Sequence, residues 1–175
     1  MLIAIREDEA IPASYPAAPA GLSPEAAALD SDFIWARIES HIRFRYTARA
    51  VSWIVEGPGE FAPPLSPATV SATEIWNGAT WEAASLSPSP LGGYQLPGCG
   101  PYRFTASVGG GPVTATANEA YRRLAEYFSG VSLANGVRQE TIEGIGSTEF
   151  DVNAVAKALV ASGAADLLRY YRRTN

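Results

Sequence analysis

The chain has 175 residues, with 13 Lys+Arg against 18 Asp+Glu and a net charge of -5, so a general attraction to nucleic-acid phosphate is excluded as its overall property. Hydrophobic content of 47% with 18% charged residues is globular, and a chain of this length buries about 70% of its unfolded surface in one domain. The single cysteine, Cys99, excludes an intrachain disulfide and a cysteine-based zinc site, and no stretch approaches the ~18 apolar residues of a membrane span.

The opening "MLIAIREDEAIPASYP" turns acidic after six residues and has no basic segment followed by a long apolar run, so no signal peptide is expected. Residues 10–24, "AIPASYPAAPAGLSP", carry four prolines and five alanines and predict an extended, adaptable segment. The whole of residues 1–25 reads as an N-terminal arm. A helix is predicted over about 31–44, where Ser31 or Asp30 can cap and Ile34, Ile38 and Ile42 recur at four-residue spacing. The period then changes. "AVSWIVE" (50–56), "TVSATEIW" (69–76), "WEAAS" (81–85) and "PYRFTASV" (101–108) are short, β-branched or aromatic runs between Gly/Pro clusters and predict a small antiparallel sheet over about 50–108. Asn77-Gly78 between two of these runs is a hairpin signal.

"GGGP" at 109–112 ends the last strand, and a helix is expected over about 113–129, its apolar stripe running Ala117, Tyr121, Leu124, Phe128, with Gly130 as the C-cap. Residues 131–150 read as a loop. A last helix is expected over 152–162, interrupted at "SGAAD", where Gly163 would be a hinge. The fold class is α+β: a helical core, a small sheet, and extended arms at both termini. The domain organisation is an arm (1–25), one α+β domain (26–162) and a C-terminal tail (163–175).

No chemistry of catalysis is legible. The only histidine, His41, lies in the first helix beside Ile42 and has no nucleophile or orienting group at a recognisable spacing. Cys99 in "LPGCGPY" lies in a turn, and Glu143, Glu149 and Asp151 show no metal-ligand periodicity. "GGGPVTA" lacks the Lys-Ser/Thr of a phosphate loop and the dinucleotide glycine spacing, which leaves a strand-to-helix turn. The chain is therefore expected not to be an enzyme and to need no cofactor or metal.

The tail "SGAADLLRYYRRTN" is different in kind. Its three arginines against one aspartate make it plus two, so the remaining residues carry minus seven. Leu167, Leu168, Tyr170 and Tyr171 are large anchors, and Arg169, Arg172 and Arg173 can make planar, bidentate contacts. Tyr and Arg are enriched where binding energy concentrates. The tail reads as a docking peptide for an acidic protein surface, with Gly163 letting it leave the subunit.

Three local patterns resemble the head-tail connector, or adaptor, proteins of long-tailed bacteriophages and phage-like gene transfer agents. "ARIESHIRFRYTARAV" (36–51) is similar to that family's helix and Tyr-Thr-x-Arg link. "PYRFTASVGGGPVTATANEAYRRLAEYF" (101–128) resembles its final strand, glycine turn and following helix. "SGAADLLRYYRR" (162–173) resembles its terminal segment. The first 25 residues depart from the amphipathic helix pair common in the family. The resemblance implies a virion protein at the head-tail interface, assembled in the bacterial cytoplasm as a ring, expected to be a dodecamer. That ring would lie beneath the portal, extend the DNA channel without binding DNA specifically, and seat the stopper or tail. The terminal segment would reach the portal. Alternatives are a stopper or tail terminator, and a ligand-binding module stacking on Trp53, Trp76, Trp81 and Tyr94.

Overall fold

The computed structural model describes residues 2, 4–90, 92–133, 139–142, 146–149 and 154–172. The chain is α+β and divides into two compact units, one of strands, built from the first 14 residues and Arg43–Pro112, and one mainly of helices, built from Tyr15–Ile42 and Val113–Arg172.

In the strand unit, β1 (Arg6–Glu9), β2 (Arg49–Glu56), β3 (Gly59–Phe61), β4 (Ala68–Trp76), β5 (Trp81–Ala83), β6 (Ser87–Pro88), β7 (Tyr94–Leu96) and β8 (Pro101–Val108) form two antiparallel sheets, ordered β1-β2-β8-β4-β5 and β3-β7-β6. β2 and β8 pair along their whole lengths, from Arg49 opposite Val108 to Glu56 opposite Pro101. Their apolar residues alternate, so Val51, Trp53 and Val55 of one and Tyr102, Phe104, Ala106 and Val108 of the other are buried on one face. The smaller sheet contributes Phe61 and Leu96 to the same core. Phe61 stacks on Phe104 with ring centroids 4.6 Å apart, and Tyr94 lies 5.3 Å from the same ring. Each such pair adds about 0.5–1.5 kcal/mol beyond its area burial.

The Asn77-Gly78 hairpin forms between β4 and β5. The Asn77 side-chain carbonyl accepts the Ala79 and Thr80 amides, both at 2.9 Å, and Gly78 takes φ +100°. Directly across the ladder, Trp76 faces Trp81 with centroids 5.4 Å apart. Cross-strand aromatic pairs of this kind hold a short hairpin closed.

Within the segment expected to be an extended arm, β1 is a paired strand. Its four residues, "REDE", have poor strand propensity, yet they pair with β2 from Arg6 opposite Ile54 to Glu9 opposite Val51. Side chains override propensity here. Glu7 accepts the Trp53 indole N–H at 2.7 Å, and Glu9 meets two arginines described below.

The glycine run after β8 closes against the link that precedes β2. The Gly109 amide donates to the Pro67 carbonyl at 2.9 Å and the Gly110 amide to the Tyr46 carbonyl at 3.1 Å. Gly109 has φ +94°, and a Cβ placed there would stand 2.2 Å from the Thr47 carbonyl oxygen. Gly109→Ala is therefore expected to destabilise by more than about 2 kcal/mol, strain and clash together. Gly78→Ala, with a similar φ but nothing within 4 Å, is expected to cost less. Thermal denaturation of the two variants side by side checks the difference.

In the helical unit, α1 (Pro24–Ala27) is capped by Ser23, whose hydroxyl accepts the Ala26 amide at 3.2 Å. Ser23 is in turn held by Glu126, which accepts its amide and its hydroxyl, each at 2.7 Å. These bonds keep the Glu126 carboxyl below its usual pKa range. α2 (Ser31–His41) takes Asp30 as its cap, the carboxylate accepting the Asp32 amide at 3.0 Å. It buries Ile34, Trp35 and Ile38. α3 (Ala115–Leu133) buries Ala117, Ala120, Tyr121, Leu124, Ala125 and Phe128, and Trp35 packs on Tyr121 at 5.0 Å between centroids. α3 runs through Gly130 rather than stopping there. A helical glycine costs about 1 kcal/mol, which a helix of 19 residues can carry.

The loop expected over 131–150 is also corrected. Within it β9 (Gln139–Ile142) and β10 (Gly146–Glu149) pair antiparallel; Glu149 ends β10, while Glu143 and Asp151 lie outside the described residues. α4 (Ala154–Ala161) and α5 (Ala164–Leu167) close the unit, followed by a 3-10 turn at Arg169–Tyr171. The start of the helix expected from 152 lies outside the described residues.

Candidate docking site

The terminal segment is built from Gly163 onward. Its amide donates to the Val160 carbonyl at 3.0 Å, ending α4, and its backbone takes the left-handed conformation at φ +74°, ψ +4°. Only glycine adopts that conformation cheaply. The turn sends the chain back along α3. Ala164 and Leu168 are fully buried, and the Leu168 amide closes α5 on the Ala164 carbonyl at 3.1 Å. Burying a leucine contributes about 1.5–3 kcal/mol, which opposes release of the tail. Gly163 thus folds the segment onto its own unit, and the expectation of a free docking arm is corrected at Leu168.

Tyr171 is fastened as well. Its hydroxyl hydrogen-bonds the Thr114 hydroxyl at 2.7 Å, and the same Thr114 oxygen accepts the Ala117 amide at 3.3 Å as the cap of α3. What points outward is Tyr170, 91% exposed, flanked by exposed Arg169 and Arg172; Leu167 is half-buried. Tyr170 stands edge-on to Tyr171, centroids 5.6 Å apart. Val160 of α4 is another exposed apolar residue. Arg173 lies outside the described residues. Of the predicted anchors, Leu168 and Tyr171 hold the segment in place, while Tyr170, Arg169 and Arg172 remain available to a partner. A preformed epitope of this kind loses less entropy on binding than a disordered peptide.

His41 ends α2 with its Nε2 buried and without a hydrogen-bond partner. Burial, and then the positive charge of Arg172, push its pKa below the usual histidine value of 6.5. The neutral form is thus favoured in the folded state. The unfolded chain takes up a proton first as pH falls, so His41 stabilises fully above about pH 6.5 and progressively less below it. His41→Asn is expected to flatten the stability profile below about pH 6.5, read from urea denaturation at several pH values.

The four aromatics suggested as a stacking platform are not brought together. Trp53 is fully buried in the sheet core and Tyr94 packs on Phe104, while Trp76 and Trp81 pair at the β4–β5 hairpin. The Arg103 guanidinium lies over the Trp81 ring, 4.6 Å from its centroid. Two bonds to Glu74, at 2.6 and 2.8 Å, pin it there and lower the Glu74 pKa. Cys99 is exposed. Among the described residues no three His, Cys, Asp or Glu side chains group as metal ligands, and no helix is long and apolar enough to cross a membrane.

Sequence reasoning missed one cluster. The Arg45 Nε and Nη2 donate to the two Glu9 oxygens at 2.6 and 3.0 Å, and Arg49 Nη1 donates to Glu9 Oε1 at 3.2 Å. Arg49 Nε also donates to the Thr47 carbonyl at 3.2 Å. The side chains are 10% (Arg45), 5% (Arg49) and 21% (Glu9) exposed. The available signal was the alternation of Glu7 and Glu9, which puts two carboxylates on one face of a strand. No protein family, curated protein or solved structure matches the chain.

Proposed function

We propose that the chain is a structural subunit of a head-tail adaptor. In this reading it forms a ring beneath the portal of a phage or gene-transfer-agent particle and docks on the portal through its C-terminal segment. The reading is carried by that segment: Leu168 and Tyr171 hold it to its own unit while Tyr170 and Arg169 face outward. An exposed tyrosine between exposed arginines suits an acidic protein surface, where charge-assisted hydrogen bonds surround one aromatic anchor. The helix, the Tyr-Thr-x-Arg link, the antiparallel sheet, the glycine turn and the closing helices follow in the order the resemblance calls for. The acidic body then has a role, because a ring multiplies subunit charge and an acidic lumen lets DNA pass without phosphate-neutralising contacts.

The test is capture of the purified chain by a portal protein from the same genome. The intact chain is expected to be retained, and Arg169→Ala to weaken retention about tenfold; retention unchanged in Arg169→Ala and Tyr170→Ala alike would remove the docking claim. Mass measurement of the assembly separates an adaptor from a stopper or terminator, whose rings are usually sixfold.

A further inference from the structure

We infer that Thr114, 57 residues before Tyr171 in the chain, is the positioning residue of the docking site: through Tyr171 it fixes the direction in which Tyr170 and Arg169 meet a partner. The inference rests on the docking role proposed above and concerns what sets its strength. It begins from what the terminal turn cannot do for itself. Arg169–Tyr171 is a 3-10 turn of three residues, in which the Tyr171 amide donates to the Leu168 carbonyl at 2.9 Å and the Arg172 amide to the Arg169 carbonyl at 3.3 Å. So short a helix is not held by its own bonds, because ordering the backbone costs more than so few bonds return. Buried Leu168 fastens the start of the turn. The far end needs a fastening of its own.

Thr114 supplies it from a rigid position. It stands immediately before α3, where its hydroxyl oxygen accepts the Ala117 amide at 3.3 Å and its carbonyl accepts the Asn118 amide at 3.0 Å. A β-branched side chain has few rotamers to choose from, so the hydroxyl is held where the helix begins. The Tyr171 hydroxyl meets it at 2.7 Å, and both residues are half-buried. The last residue of the turn is thereby tied to the start of a 19-residue helix. The constraint passes to the epitope through the rings. Tyr170 stands at 87° to Tyr171, centroids 5.6 Å apart, an edge-to-face arrangement that aromatic rings prefer. The exposed ring therefore takes its direction from the ring that Thr114 holds. Arg169 and Tyr170 lie between the two fastened residues, Leu168 and Tyr171, so both are presented without being buried. A partner meets side chains already aimed, and the competent arrangement does not have to be selected from a frayed end.

The test compares Tyr171→Phe, Thr114→Val and Thr114→Ser, each in the full chain, for retention on immobilised portal protein and for amide exchange at Tyr171 and Arg172. Tyr171→Phe keeps the ring and the α3 cap but removes the hydroxyl that reaches Thr114. Thr114→Val keeps the side-chain shape and removes cap and bond together, whereas Thr114→Ser keeps both. Positioning predicts that Tyr171→Phe and Thr114→Val each lose retention about three- to tenfold, the population shift that one net hydrogen bond produces. Exchange at Arg172 should quicken in both, and Thr114→Ser should behave as the unaltered chain. The double variant Thr114→Val, Tyr171→Phe should bind no worse than Thr114→Val, since one bond is removed from either end. A capping role alone would lower the denaturant midpoint of Thr114→Val while Tyr171→Phe is retained in full. That result, with Tyr170→Ala released, overturns positioning by Thr114 and leaves docking standing. Retention unchanged in Arg169→Ala and Tyr170→Ala, or no retention of the unaltered chain, overturns both.

Discussion

Leu168→Ala is expected to lower the stability of the helical unit by about 2–5 kcal/mol, the range for emptying a fully buried leucine site. Leu168 is 0% exposed, so nothing replaces the lost contacts unless the 3-10 turn collapses inward. Tyr170→Ala, two residues later, is expected to shift stability by no more than about 0.5 kcal/mol, because its ring is in solvent. The ordering should reverse for portal capture: Tyr170→Ala abolishes it with the fold intact. Urea denaturation and a pull-down on the same pair of variants decide the matter. If Leu168→Ala proved neutral in stability, the folded-back tail would be wrong. Removing residues 164–175 altogether is a poorer probe, since it takes Ala164 and Leu168 out of the core together with the epitope.

Glu9→Gln is expected to destabilise the strand unit by about 3 kcal/mol, the low end for breaking a buried ion pair; the exposure of Glu9, 21%, argues for the low end. The amide can still accept one hydrogen bond but no longer compensates two nearly buried cations. The loss should show as a lower denaturant midpoint. Glu9→Leu combined with Arg45→Met should recover part of it, because apolar residues of similar volume often replace a buried pair without cost. An unchanged midpoint in Glu9→Gln would mean that the arginines are satisfied without Glu9.

Much of the strand unit was legible because its signals are local. Val51, Trp53 and Val55 alternate with polar neighbours, and Asn77-Gly78 marks its own turn, so period and turn chemistry suffice. β1 was not legible, since "REDE" has no apolar face and becomes a strand only when Trp53 and two arginines from elsewhere in the chain meet its glutamates. Gly130 read as a stop because glycine at a helix end and glycine inside a long helix are the same letter. The docking segment was half legible. Four large side chains in five residues announced that something is anchored, but which of them face inward depends on α3.

By itself the amino-acid sequence determined the α+β class, the places of the central strands and main helices, and the special character of the last dozen residues. Each of these follows from residue spacing and local backbone preference. The tertiary structure alone decided that Leu168 and Tyr171 secure the tail while Tyr170 faces solvent, and that Glu9 stands between Arg45 and Arg49. Those assignments depend on partners distant in the chain, and only packing selects which polar group is compensated and which apolar group is buried.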